Sequence, residues 1–326
     1  MVFMSHLTRF AEALASLADR MCGQMISERY QLSKMRSYLY HLSSLEKEPL
    51  LVYQMGKVGS TTIVNSLEAA GDVRSKYSIY HVHWLSPDRL LYEEELYKQA
   101  KEMYSGHRLP AHRFHPGYVW LGQRLSRRIL SRSDRTKWTI ITLLREPISR
   151  NISSFFQNLD TLLFYDYRSK LHSTSREVVV EDLRRLFDKN YLHDGAIEQF
   201  DANPLTWFDT ELKSVFDVDV YSSKFPTDKG YATYDTPRAR VLLLRLEDLA
   251  RNHSEVFKTF LHIRDFTLVT ENTRRSKEYS DLYEAFVRDL VLPTNYLDKV
   301  YESKYTRHFY TEQEIERFRA RWRRSK

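Results

Sequence analysis

The chain has 326 residues and a single cysteine, Cys22. An intramolecular disulfide is therefore impossible, and a secreted fold stapled by bridges is excluded. No run of about 18 apolar residues occurs, so no membrane-spanning helix is expected. The opening Met1-Val2-Phe3-Met4-Ser5-His6 lacks the charged, then apolar, then small-residue order of a secretory leader, and a cytoplasmic protein is the expectation. Internal repeats, low-complexity tracts and linkers rich in proline, glycine or serine are also missing. The expected organisation is a helical extension over residues 1–46 followed by one large domain over 47–326, with a variable insertion near 160–235.

What is present reads as a soluble globular chain. The hydrophobic share is 42%, the charged share 29% and the net charge +7, a balance that suits anionic ligands without singling one out. Basic clusters such as Arg124-Leu125-Ser126-Arg127-Arg128 and Arg319-Ala320-Arg321-Trp322-Arg323-Arg324 read as solvated faces.

The stretch that organises the chain is Leu50-Leu51-Val52-Tyr53-Gln54-Met55-Gly56-Lys57-Val58-Gly59-Ser60-Thr61-Thr62-Ile63-Val64. A short apolar run reads as a buried strand, a loop with two glycines follows, and hydroxyl residues stand where a helix begins. Helix N-termini have unpartnered N–H groups and partial positive charge, and glycine admits close backbone approach, so this is a phosphate cradle in outline. It is not a Walker A loop, because Lys57 precedes Gly59 and does not follow it.

A second junction lies at Lys137 to Leu144, again a buried strand, running into Arg145-Glu146-Pro147-Ile148-Ser149-Arg150-Asn151-Ile152-Ser153. Proline fixes the turn and disfavours helix at Glu146, so the next helix is expected from Ile148 or Ser149, with Ser153 about a turn inside it.

These two motifs, in this order and each at a strand-to-helix junction, resemble the 5′-phosphosulfate and 3′-phosphate motifs of the sulfotransferase superfamily. Within it the chain is most similar to bacterial capsular-polysaccharide and carbohydrate sulfotransferases. The resemblance implies an α/β fold, a P-loop-like, mostly parallel sheet flanked by helices. The donor it implies is 3′-phosphoadenosine 5′-phosphosulfate, and the reaction is in-line transfer to a hydroxyl or amine. Gly59, Ser60, Thr61 and Thr62 would hold the 5′-phosphate, Lys57 would neutralise the bridging oxygen, and Arg145 and Ser153 would grip the 3′-phosphate. Implied acceptors are a carbohydrate, a glycolipid or a small molecule; nucleic acid is not expected as a partner, and no metal is required.

Between the motifs, Tyr77 to Leu85 alternates as a strand, and His81 and His83 fall on one face. No third ligand suggests a metal centre. The pair resembles the H-x-H of some carbohydrate sulfotransferases, and His83, nearer the strand's C-terminal end, is preferred to His81 as general base. The helix after the first motif is expected to end at Ala70 with Gly71 as its C-cap. The loop His107 to Pro116 could face an anionic acceptor, and the helices before residue 44 could pack on the sheet, dimerise or contact a membrane surface. Trp207 reads as a core residue with stacking on a sugar as the alternative. Val241 to Leu246 reads as a third buried strand, followed by Glu247-Asp248-Leu249, whose acidic pair would cap the next helix. Lys304 and Arg307 are candidates in a C-terminal basic loop. Two rival readings stay open: an ATP- and magnesium-dependent small-molecule kinase, and a non-catalytic binder of acidic glycans or membrane surfaces.

Overall fold

The structure, a computed structural model, describes residues 47–103, 116–131, 136–159, 167–192, 204–269 and 277–323. The expected N-terminal helices and most of the His107 to Pro116 loop lie outside these residues. Two compact units are present, one within residues 87–125 and the other formed by 47–86 with 126–323. In the first, the helix Pro87–Met103 is tied to the part of the helix Pro116–Leu130 that precedes residue 126 by a hydrogen bond from Gln123 to Glu94 of 2.9 Å.

The second unit is an α/β fold around a five-stranded sheet. Its strands are β1 (Glu48–Tyr53), β2 (Tyr77–Val82), β3 (Trp138–Leu144), β4 (Tyr231–Asp235) and β5 (Ala239–Arg245), in the order β2-β1-β3-β5-β4. All neighbours are parallel except β4, which pairs antiparallel with β5 at one edge. The apolar runs explain this: β3 is buried along its whole length, as a strand covered on both faces must be. Each fully buried leucine, isoleucine or valine stabilises such a layer by about 1.5–3 kcal/mol.

The order of connections positions the site. From β1 the chain goes to β2 on one side and later returns to β3 on the other. Strand order thus reverses between β1 and β3, and open α/β sheets have their crevice at the C-terminal ends around such a reversal. The β1–β3 register ends at Val52 opposite Ile141. Beyond it the buried Gln54 side chain takes over, its Oε1 accepting from the Leu143 N–H at 2.9 Å. Both sequence motifs leave the sheet here.

Several expected boundaries move. β2 ends at Val82, not Leu85, so His83 lies just past the strand. Gly71 is not a C-cap: the helix Ser60–Ala69 is capped by Ala70, and Gly71 opens a second short helix, Gly71–Lys76. The helix after β3 begins at Pro147, because proline's fixed φ suits the first helical position.

Glycine matters at Gly230, which has φ +76° before β4, and a Cβ there would overlap the Asp248 carboxyl group. That carboxylate is held by Arg245 and Arg251 at 2.5 and 2.8 Å, so it cannot move aside. Gly230→Ala is expected to cost about 2–4 kcal/mol in denaturant unfolding, combining left-handed strain with overpacking. Gly71→Ala meets open space at an ordinary φ and should be neutral or slightly stabilising. Equal effects at the two positions would refute this account.

Candidate functional site

The loop between β1 and the helix Ser60–Ala69 is built from two left-handed residues, Lys57 at φ 70° and Gly59 at φ 91°. Left-handed backbone is expected at glycine, but for lysine it is uncommon. Gly59 also packs close: a Cβ would sit 2.7 Å from Leu246 Cδ1. The helix that follows has no side-chain cap, so the leading N–H groups of Ser60, Thr61 and Thr62 keep the positive end of the helix dipole. Ser60 is buried, Thr62 half-buried and Thr61 exposed.

Two arginines from the second motif hold this loop. Arg145 Nη1 donates to the Lys57 carbonyl at 3.2 Å, and the buried Arg150 donates from Nε to the Gly56 carbonyl at 2.9 Å. No peptide bond among the described residues is cis, and in a planar trans peptide the C=O and N–H point opposite ways. Anchoring those two carbonyls on guanidinium groups therefore turns the N–H groups of Lys57 and Val58 away from the arginines. Successive N–H groups so arranged, next to a helix N-terminus, form a concavity that suits an anion.

Arg145 is itself positioned by its backbone. The buried Tyr305 hydroxyl accepts from the Arg145 N–H at 3.3 Å and donates to its carbonyl at 3.0 Å. Glu146 caps its own helix, accepting from Ile148 and Ser149 N–H groups at 2.9 and 2.7 Å and from the Tyr301 hydroxyl at 2.8 Å. The Glu146 N–H donates to Glu247 Oε1 at 2.7 Å. Glu247 therefore does not cap the helix Leu249–Leu261, and neither does the side chain of Asp248. Ser153 is half-buried on the helix Pro147–Asn158, one turn beyond Ser149 on the same face and nearly two turns from the helix start.

His83 stands beside the loop. Its Nδ1 lies 2.7 Å from the Gln54 carbonyl oxygen; a carbonyl can only accept, so Nδ1 carries the proton and the lone pair of the neutral ring is on Nε2. The His81 ring meets it edge-on at 4.9 Å between centroids. Trp207 is fully buried and donates from Nε1 to the His83 carbonyl at 3.1 Å, which makes it a core residue.

Sequence reasoning missed Glu211. This buried carboxylate, on the π-helical turn Phe208–Lys213, accepts from the Tyr53 hydroxyl at 2.5 Å, the Leu85 and Ser86 N–H groups at 2.8 and 2.9 Å, and the Ser86 hydroxyl at 2.6 Å. Burial raises its pKa, and the hydrogen bonds oppose that rise. Tyr53 is pushed well above the usual tyrosine value by burial and by the Glu211 charge. Only the π-turn's tendency to mark functional sites could have pointed here, and that turn has no sequence signature. The C-terminal basic stretch is also different from expectation: Lys304 to Phe309 is a helix, Lys304 is held by Asp209 at 3.3 Å and by the Tyr221 ring at 3.7 Å, and Arg307 is exposed.

The family described as "Putative capsular polysaccharide synthesis protein" (NKWYS) matches residues 182–311. Over that stretch the chain is similar to a polysaccharide-synthesis family. No curated protein and no solved structure matches. The matched segment supports a polysaccharide-related protein, and it contains Trp207, Glu211, Leu246, Glu247 and Tyr305, the residues that brace the two motifs from outside. No group of three or more histidine, cysteine or acidic side chains fit to hold a metal ion occurs among the described residues. No described helix is long and apolar enough to cross a membrane.

Glu247 gives a pH test. Burial raises its pKa above the ordinary 4.5, with the Glu146 N–H bond opposing. The native state then binds the proton more tightly than the unfolded chain, so this group favours folding most below the ordinary value and less as pH rises through its native value. Stability should fall over that window in the wild type. Glu247→Gln, which keeps an oxygen for the Glu146 N–H, should reduce the slope of melting temperature against pH there; an unchanged slope would assign the titration elsewhere.

Proposed function

We propose that this protein is a sulfotransferase that moves a sulfuryl group from 3′-phosphoadenosine 5′-phosphosulfate to a carbohydrate hydroxyl. The observation that carries the reading is the pair of guanidinium-to-carbonyl contacts that joins the P-loop-like Gly56 to Gly59 loop and the Arg145 motif into one site, with His83 fixed beside it. The Arg145 guanidinium has five N–H donors, and its contact with the Lys57 carbonyl employs one. Its planar fork suits a 3′-phosphate, with Ser153 on the adjoining helix as a second donor.

The backbone N–H groups of Lys57, Val58, Ser60, Thr61 and Thr62, with the adjacent hydroxyls, suit the 5′-phosphate. The Lys57 ammonium would stabilise negative charge developing on the bridging oxygen as the sulfuryl group leaves. His83, proton on Nδ1, would take the acceptor's proton at Nε2. Transfer of this kind depends on positioning and electrostatics more than on covalent chemistry by the protein. The similarity of residues 182–311 to a polysaccharide-synthesis family supports a polysaccharide or its precursor as acceptor.

Calorimetric titration with adenosine 3′,5′-bisphosphate, adenosine 5′-monophosphate and ATP-magnesium tests the donor site. The bisphosphate should bind best; Ser153→Ala should weaken it while leaving 5′-monophosphate binding nearly unchanged, and Arg145→Ala, which also frees the Lys57 carbonyl, should weaken both nucleotides, the bisphosphate more, by about 10–100-fold, the weight of a charged hydrogen-bond pair. Preference for ATP-magnesium would replace this reading with a kinase, and no nucleotide binding would end it. Once an acceptor is found, His83→Ala should lower turnover by about 10²–10⁴-fold at unchanged donor affinity. Near-full turnover in that variant would remove His83 from the chemistry.

A further inference from the structure

His83 is not held by its own strand. β2 ends at Val82, and the four residues that follow run over the end of the sheet. One contact that orients the side chain is with Gln54, whose carbonyl accepts from Nδ1 at 2.7 Å. That contact depends on two pieces of backbone keeping their spacing, the end of β1 and the turn after β2.

Both pieces are fastened to the segment Trp207 to Glu211. The Tyr53 hydroxyl, one residue before Gln54, donates to Glu211 Oε2. The same oxygen accepts from the Leu85 and Ser86 N–H groups, and Oε1 accepts from the Ser86 hydroxyl at 2.6 Å. Trp207 Nε1 donates to the carbonyl of His83 itself at 3.1 Å. A carboxylate with four donors on two strand ends, in a buried setting, fixes geometry at a cost in desolvation. Nothing in the sheet's own hydrogen bonding requires it.

We infer that Glu211, assisted by Trp207, is a positioning residue for His83, clamping the end of β1 to the turn after β2 so that the imidazole keeps its proton on Nδ1 and its lone pair on Nε2. The inference rests on the reading of His83 as the base. Leucine at 211 accepts nothing, so all four donors lose their partner and the clamp should break while volume is nearly conserved. Neutral imidazole released to water favours the proton on Nε2, the wrong nitrogen for this base.

Long-range proton–nitrogen NMR of imidazole-labelled protein reads the His83 tautomer directly. The wild type should show a protonated Nδ1. In Glu211→Leu that form should cease to be the major one, with bisphosphate affinity retained and, where turnover can be measured, kcat falling roughly 100-fold, as expected of a misplaced reacting group. A folded Glu211→Leu protein that keeps Nδ1–H overturns the inference, as does loss of nucleotide affinity with the tautomer intact, which would place the effect on the phosphate loop. Should that variant fail to fold, Trp207→Phe, which keeps a ring in the core but removes the donor to the His83 carbonyl, decides by the same spectrum: loss of Nδ1–H supports the clamp and retention overturns it. The tautomer is read without nucleotide or turnover. A wild type that binds no bisphosphate would therefore sink the transferase reading and leave the clamp to be judged on its own.

Discussion

The contact on which this site depends is a guanidinium group bonded to a backbone carbonyl, made twice. Arg145 and Arg150 reach from the start of one helix to the loop before another, onto consecutive carbonyl oxygens. Arg150 is buried, and burying a charge without partners is expensive. Here the Gly56 carbonyl and Asn151 Oδ1, at 2.9 and 3.2 Å, receive its N–H groups. The two strand-end motifs are thus one mechanical unit, and the loop's outward N–H groups follow from its inward carbonyls.

A third strand end completes it. After β5, Leu246 fills the space a side chain at 59 would need, and Glu247 takes the N–H of Glu146. The burial that raises the Glu247 pKa also places a carboxylate near Arg145. The segment similar to the polysaccharide-synthesis family holds these braces, whereas the glycine loop, His83 and Arg145 lie outside residues 182–311. The similarity therefore falls on the frame around the candidate chemistry.

The strands β1, β3 and β5 were legible because near-continuous apolar runs bounded by glycine, proline or charge admit few other structures. The two motifs were legible for a local reason: each lies within about fifteen consecutive residues and places its special side chains by turn chemistry alone. β4 was not, since none of its residues is buried and its pairing partner supplies its order. Glu211 was not, because its partners lie about 125 and 158 positions away and a lone glutamate in a charged stretch has no pattern. Glu247 was seen but given the wrong partner, as capping of the next helix is the usual local expectation for an acidic residue there.

Lys57 shows what the frame makes possible. A glycine could take its φ of 70° freely, whereas lysine pays about 1–2 kcal/mol for it. With the carbonyls of residues 56 and 57 both anchored, that cost is met when the chain folds, not when a ligand arrives. An amine is then presented on backbone that has nothing left to rearrange, and a visiting anion meets a surface already in its final shape. Conformational strain here is a form of readiness: the chain gives up a little resistance to unfolding and gains a binding edge that need not be assembled anew at each encounter.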